Sequence, residues 1–91
     1  MPYVLAIHKV QDISRWRPFF EADKPRQQAA GLTVRHVFRG ADDPQEVVIL
    51  FDAVDLGRAR EFAGSEDLKK VMMEAGVLGR PDIHFLETAP G

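Results

Sequence analysis

Short apolar runs and longer stretches with helical spacing follow one another along the chain, in the order β-α-β-β-α-β. The apolar runs predict four strands, at residues 3–10, 33–39, 46–53 and 82–87. Apolar side chains three and four residues apart predict two helical stretches, the first with Trp16, Phe19 and Phe20 and the second with Leu68, Val71, Met72 and Ala75.

Caps and breakers mark the ends of these helical stretches. Asp12 and Asp55 are predicted N-caps because a short polar side chain can accept hydrogen bonds from the first turn. Pro25 does not fit a helix interior, so the first helix should kink or break near residues 23–24. Residues 64–65, Gly-Ser, should interrupt the second in the same way.

The element order predicts one α+β domain, residues 1–91, with a ferredoxin-like sandwich fold. Right-handed crossovers give a four-stranded antiparallel sheet in the spatial order 4-1-3-2, with residues 79–81 connecting to the last strand. Two helices cover only one face of such a sheet, yet residues 47–51 are apolar on both faces. We therefore expect a second copy of the chain to cover the other face, as a homodimer.

The composition of the chain limits which kinds of partner it can bind and where it is expected to be located. The formal net charge of −2 argues against a nucleic-acid or anionic-membrane surface, which needs a basic excess. The chain has no cysteine, no apolar run long enough for a membrane span and no signal-peptide pattern, so we expect a cytoplasmic protein. Its three histidines lack the spacing of a metal site, and we expect neither a metal nor a cofactor.

Residues 3–10, the following Asp12 and Trp16, residues 47–51 and residues 82–87 together resemble the dimeric α/β-barrel superfamily. The likeness is to its small uncharacterised and antibiotic-biosynthesis-monooxygenase-like members. The resemblance implies a homodimer with two facing sheets, helices outside and a ligand cavity between the sheets. Members of that superfamily include cofactor-free monooxygenases of aromatic polyketides, haem-degrading enzymes and isomerases. This chain has no asparagine and only one tryptophan, so the catalytic residues of the monooxygenases and haem-degrading enzymes do not carry over.

The candidate chemistry lies in the histidines. If Leu5 and Ile7 face the helices, alternation sends His8 and His84 to the opposite face, where the two could meet across neighbouring strands. There they would form an acid/base pair able to take a proton from a phenol or enol. The alternative is that both are structural, as semi-buried or interface residues.

The second strand offers a further candidate surface. Alternation places Val34, His36 and Phe38 on one face, and either face could meet the cavity. Arg35 and Arg39 on the other face would bind an anionic substrate or simply be solvated edge-strand charges.

Two functions follow. The first is a homodimer that binds a small apolar or aromatic molecule, with the cavity lined by His36, Trp16, Phe38 and Phe51. The second is a cofactor-independent monooxygenase or isomerase-like enzyme that acts on an aromatic or polyketide-type molecule through His8 and His84. A regulatory amino-acid-binding domain of the ACT type shares the topology and stays open as a third.

Overall fold

A computed structural model describes all 91 residues, and its elements follow the predicted order with each helical stretch divided in two. The elements are β1 (Pro2–Val10), α1 (Ile13–Ala22), α2 (Lys24–Ala29), β2 (Leu32–Arg39), β3 (Glu46–Ala53), α3 (Leu56–Ala63), α4 (Glu66–Glu74) and β4 (Val77–Glu87). None of the four helices has the length and apolar character that crossing a bilayer requires.

Local chemistry places the helix boundaries where the sequence predicts them. Asp12 accepts a hydrogen bond from the Ser14 amide at 2.8 Å, and Asp55 caps α3 in the same way. Pro25 lies in the first turn of α2, where its missing N–H costs nothing, so α1 has to end before it. The Ser65 hydroxyl caps α4 after the break at residue 64.

The sheet is fully antiparallel in the order β2-β3-β1-β4, which confirms the predicted 4-1-3-2 arrangement. The two most apolar strands, β1 and β3, lie at its centre. All the helices pack on one face. They pack against a cluster of buried apolar side chains, of which Val10, Val47 and Ile49 are the most completely enclosed.

The assignment of strand faces needs a correction. We expected Leu5 and Ile7 to face the helices, but it is Val4, Ala6 and His8 that are buried there, while Leu5 and Ile7 are half-exposed on the open face. Ile83 also faces the helices, because it pairs with Ala6. Since β1 is apolar on both faces, its pattern gives no preference between the two.

A bulge in β2 divides a set of residues that alternation had grouped together. The register shifts between Val34 and His36, so that Val34 lies opposite Phe51 on the helix side. His36 lies opposite Leu50 and, with Phe38, faces the open side. The prediction that Val34, His36 and Phe38 share one face is therefore wrong.

β4 begins five residues earlier than predicted. It pairs with β1 from Val77, and residues 79–81 form a bulge within the strand instead of a connection before it. Leu78 pairs with Lys9 before the bulge, and Asp82 pairs with Ile7 after it. The three residues 79–81 of β4 therefore lie opposite the single residue His8 of β1. Gly79 permits this bulge with a backbone φ of +68°.

Apolar side chains also cover the open face of the sheet. They come from all four strands: Tyr3, Leu5, Ile7, Phe38, Val48, Leu50 and Leu86. Phe38 is 51% exposed and Leu86 39% exposed, although both are large and apolar.

Candidate functional site: a cavity between helices and sheet

A cavity of about 90 Å³ lies between the helices and the sheet of a single protomer. Sixteen of the 20 residues that line it are hydrophobic, and they come from the sheet, from α1 and from the residues of α3 and α4 that form its roof. We expected a cavity between two facing sheets. The structure instead places this one inside the protomer, on the other side of the sheet.

Aromatic rings form one wall of the cavity. Trp16 and Phe20 are one helical turn apart on α1, and their rings stack with centroids 4.8 Å apart. Phe20 in turn approaches Phe51 at 6.4 Å, and the ring of His8 meets Trp16 edge-on at 5.7 Å. Trp16 and Phe51, two of the four residues predicted to line a ligand cavity, do line this one.

His8 is the most distinctive polar group in the cavity. The residue is only 8% exposed, and neither ring nitrogen has a hydrogen-bond partner in the protein. Burial lowers the pKa of its imidazole to about 4, because the charged form loses its hydration without gaining a counter-ion. At neutral pH His8 is therefore uncharged and offers one N–H donor and one nitrogen acceptor to whatever occupies the cavity.

Two further polar residues line the cavity where α1 meets α2. Asp23 and Gln27 are 8% and 4% exposed, and with His8 they are the three buried polar residues of the chain. Burial raises the pKa of the Asp23 carboxyl, and Arg26, 3.8 Å away, opposes that rise only in part. The Gln27 side-chain amide donates a long hydrogen bond of 3.5 Å to the Phe20 carbonyl.

Gln27 adjoins the aromatic wall of the cavity. Its side-chain amide contacts the Phe20 carbonyl, and the Phe20 ring stacks on Trp16, whose ring meets His8. Sequence reasoning missed Asp23 and Gln27 as site residues. The available signal was Gln27, a polar residue in line with the apolar stripe of the first helix.

His84 does not join His8. In the β1–β4 ladder His84 lies opposite Leu5, so it is exposed on the open face while His8 points towards the helices. The expectation that the two histidines meet across the strands is wrong, because the register places Asp82 and not His84 next to the His8 bulge. Any acid/base chemistry in the cavity rests on His8 without a second imidazole.

The other two predicted lining residues also belong to the open face. The rings of His36 and Phe38 lie 5.4 Å apart there, separated from Trp16 and Phe51 by the sheet. Arg35 shares this face and lies 3.6 Å from the Asp52 carboxylate. The four predicted lining residues therefore divide into two pairs on opposite sides of the sheet.

Comparison with solved structures identifies the fold. A candidate antibiotic biosynthesis monooxygenase from Bordetella bronchiseptica matches with a TM-score of 0.79 and 17% identity over 98% of this chain and 97% of that one. Another from Caulobacter crescentus matches with a TM-score of 0.72 and 18% identity, over 98% of this chain and 90% of that one. A conserved protein from Methanosarcina mazei matches with a TM-score of 0.71 and 13% identity, over 97% of this chain and 92% of that one. The sequence matches no protein-family model and no curated protein.

The chain therefore has the fold of antibiotic-biosynthesis-monooxygenase-like proteins. The resemblance drawn from its strand layout is confirmed at the level of the fold.

Proposed function

We propose that this protein binds a small, flat molecule carrying a hydroxyl group in the cavity between helices and sheet, with His8 as its polar contact. The observation that carries the proposal is the buried His8 imidazole, which has no hydrogen-bond partner in the protein. An unsatisfied buried polar group costs about 1–3 kcal/mol, and a ligand hydroxyl would recover that cost. The aromatic wall would contact the flat face of the same ligand.

Size limits what fits. A cavity of about 150 Å³ lined by apolar side chains accommodates benzene in another protein. The cavity here, about 90 Å³, takes no more than one ring. The rest of a larger ligand must extend out of the cavity.

The proton affinity of His8 favours binding over catalysis in the resting protein. The imidazole has a pKa of about 4, whereas a phenol ionises near pH ~10. A difference of about 6 units makes complete proton transfer unfavourable by about 8 kcal/mol. His8 therefore accepts a hydrogen bond from a hydroxyl that stays protonated.

The alternative is a cofactor-independent monooxygenase, and it is favoured by the structural neighbours that are named antibiotic biosynthesis monooxygenases. In such a reaction His8 would assist loss of a proton from an acidic CH₂ or enol, and the resulting carbanion would reduce O₂. The CH₂ group would become C=O, with one oxygen atom in the carbonyl and the other leaving as water, so that no external reductant is needed. Oxygen uptake with an aromatic polyketide-type substrate, abolished by His8→Phe, would establish this activity. An isomerase-like reaction through His8 is a variant of the same proposal.

We also propose that the open face of the sheet pairs with a second copy of the chain. Seven apolar side chains lie on this face, among them Leu5 and Leu50, which are direct neighbours across β1 and β3. An exposed apolar surface of this kind is unfavourable in a domain of this size. Homodimerisation through this face leaves the ligand cavity of each protomer on the outer side of its sheet.

His8→Phe is expected to weaken binding of para-ethylphenol about tenfold, because one hydrogen bond is lost while the apolar contacts remain. The single tryptophan lines the cavity, so its indole N–H resonance in a ¹H–¹⁵N NMR titration reports occupancy directly. Ethylbenzene, which lacks the hydroxyl, should bind both proteins equally.

His8→Gln keeps a hydrogen-bonding side chain and should recover part of the affinity. His84→Gln, on the open face, should bind like the wild type. If His8→Phe binds para-ethylphenol as tightly as the wild type, His8 is not the polar contact and the proposal is wrong.

A further inference from the structure

The cavity adjoins a larger basin on the protein surface. This basin, of about 680 Å³, is lined by residues of α4 and of the bulge in β4. Four residues belong to the walls of both spaces: Ala63, Met72, Pro81 and Ile83. The two spaces are therefore separated by the thickness of single side chains, and a ligand too large for the cavity would extend into the basin.

The bulge at residues 79–81 places this boundary beside His8. Those three residues stand opposite His8 in the β1–β4 ladder, and Pro81 lines both the cavity and the basin. Pro81 has no backbone N–H, so the strand cannot form its full set of hydrogen bonds at this point. A ligand whose hydroxyl reaches His8 therefore has the rest of its structure near the bulge.

The charged residues of the basin are both cations. Lys69 and Arg80 line it, and no carboxylate does. The Arg80 side chain forms no hydrogen bond or ion pair within the chain, and the Lys69 side chain has only a 3.4 Å contact with Glu66, which is 90% exposed. Asp82, the nearest acidic residue along the strand, pairs with Ile7 and faces the other side of the sheet.

We propose that the ligand is an apolar hydroxylated acid, with its ring and hydroxyl in the cavity and its carboxylate in the basin between Lys69 and Arg80. This inference rests on the proposed function, since it assigns the second half of the same ligand. The ligand needs a linker because its carboxylate has to pass the wall formed by Met72 and Pro81 to leave the cavity. A short aliphatic chain between ring and carboxylate meets that requirement.

The test compares para-hydroxyphenylpropanoate with its primary amide, which has the same size and hydroxyl but no charge. The acid should bind the wild type about five- to tenfold more tightly than the amide, the sum expected for two solvent-exposed ion pairs. High salt should remove most of that preference because exposed charges are screened. The indole N–H of Trp16 reports occupancy of the cavity in both titrations.

The variant Lys69→Gln/Arg80→Gln should bind acid and amide alike, at the affinity that the wild type has for the amide. Lys70→Gln is the matched control, since Lys70 is the next residue on α4 and lines neither space. It should keep the preference for the acid.

The outcomes separate the two proposals. Equal binding of acid and amide by the wild type, with the Trp16 resonance shifted by both, would overturn the assignment of the basin and leave the role of His8 intact. The same conclusion follows if the double variant still prefers the acid. Failure of both compounds to shift Trp16 would overturn this inference, and failure of para-ethylphenol to shift it as well would overturn the proposed function.

Discussion

His8→Phe is expected to make the protein less sensitive to acid. Between pH 6.5 and pH 4 the free energy of unfolding of the variant should fall by about 3 kcal/mol less than that of the wild type. In the unfolded chain His8 takes up a proton near its ordinary pKa of 6.5, whereas in the folded protein burial holds that pKa at about 4. The unfolded state therefore binds more protons in this interval, so the free energy of unfolding falls as the pH falls through it. Well above pH 6.5 the imidazole is neutral in both states and contributes no pH dependence.

Urea unfolding at a series of pH values, at one protein concentration, measures this difference. The His8→Phe variant should have the flatter profile, and at neutral pH it should also be about 1 kcal/mol more stable, because it buries no unsatisfied nitrogen. The quantity of interest is the difference between the two proteins in how the free energy of unfolding changes with pH, because the contributions of the groups that they share cancel. Parallel profiles for wild type and His8→Phe would show that the imidazole is hydrated in the folded protein.

Leu50→Glu is expected to convert a homodimer into a folded monomer. Leu50 lies on the central strand β3, half-exposed in the protomer, with Leu5 opposite it on one side and His36 on the other. In a two-fold dimer each substitution enters the interface twice, and burying an unpaired carboxylate costs several kcal/mol. A loss of about 3 kcal/mol would raise the dimer Kd more than about hundredfold.

Sedimentation velocity and circular dichroism together measure this effect. The variant should keep the wild-type spectrum, because in the monomer its carboxylate is in water. Val54→Glu is the matched control: Val54 follows β3, is 74% exposed and adds the same charge outside the open face. A wild-type protein that sediments as a monomer at micromolar concentration would contradict the proposed dimer.

Most of the fold could be predicted because its signals are local. Pro25 and Ser65 each act within one helical turn, so the breaks in the helical stretches follow from the sequence around them. The strand order followed from handedness and from the apolar character of residues 47–51. Both arguments hold without knowing where any side chain points.

The site could not be predicted in the same way, because it depends on register. Strand β1 is apolar on both faces, and alternation alone does not say whether His8 or Ile7 faces the helices. Two bulges then displace the neighbouring strands: the one in β2 turns His36 away from Val34, and the one in β4 places three residues opposite His8. A bulge depends on contacts between distant segments, so the pattern of a single strand does not reveal it.

The same two bulges affect how readily the edges of the sheet associate with other copies of the chain at high protein concentration. Both interrupt the outermost strands, β2 and β4, whose free edges would otherwise offer a regular row of amide and carbonyl groups to a neighbouring chain. The irregular backbone, the proline at residue 81 and the cation at Arg35 oppose uncontrolled edge-to-edge strand addition. The irregularities that obscured the site in the sequence thus protect the protein from fibrillar aggregation.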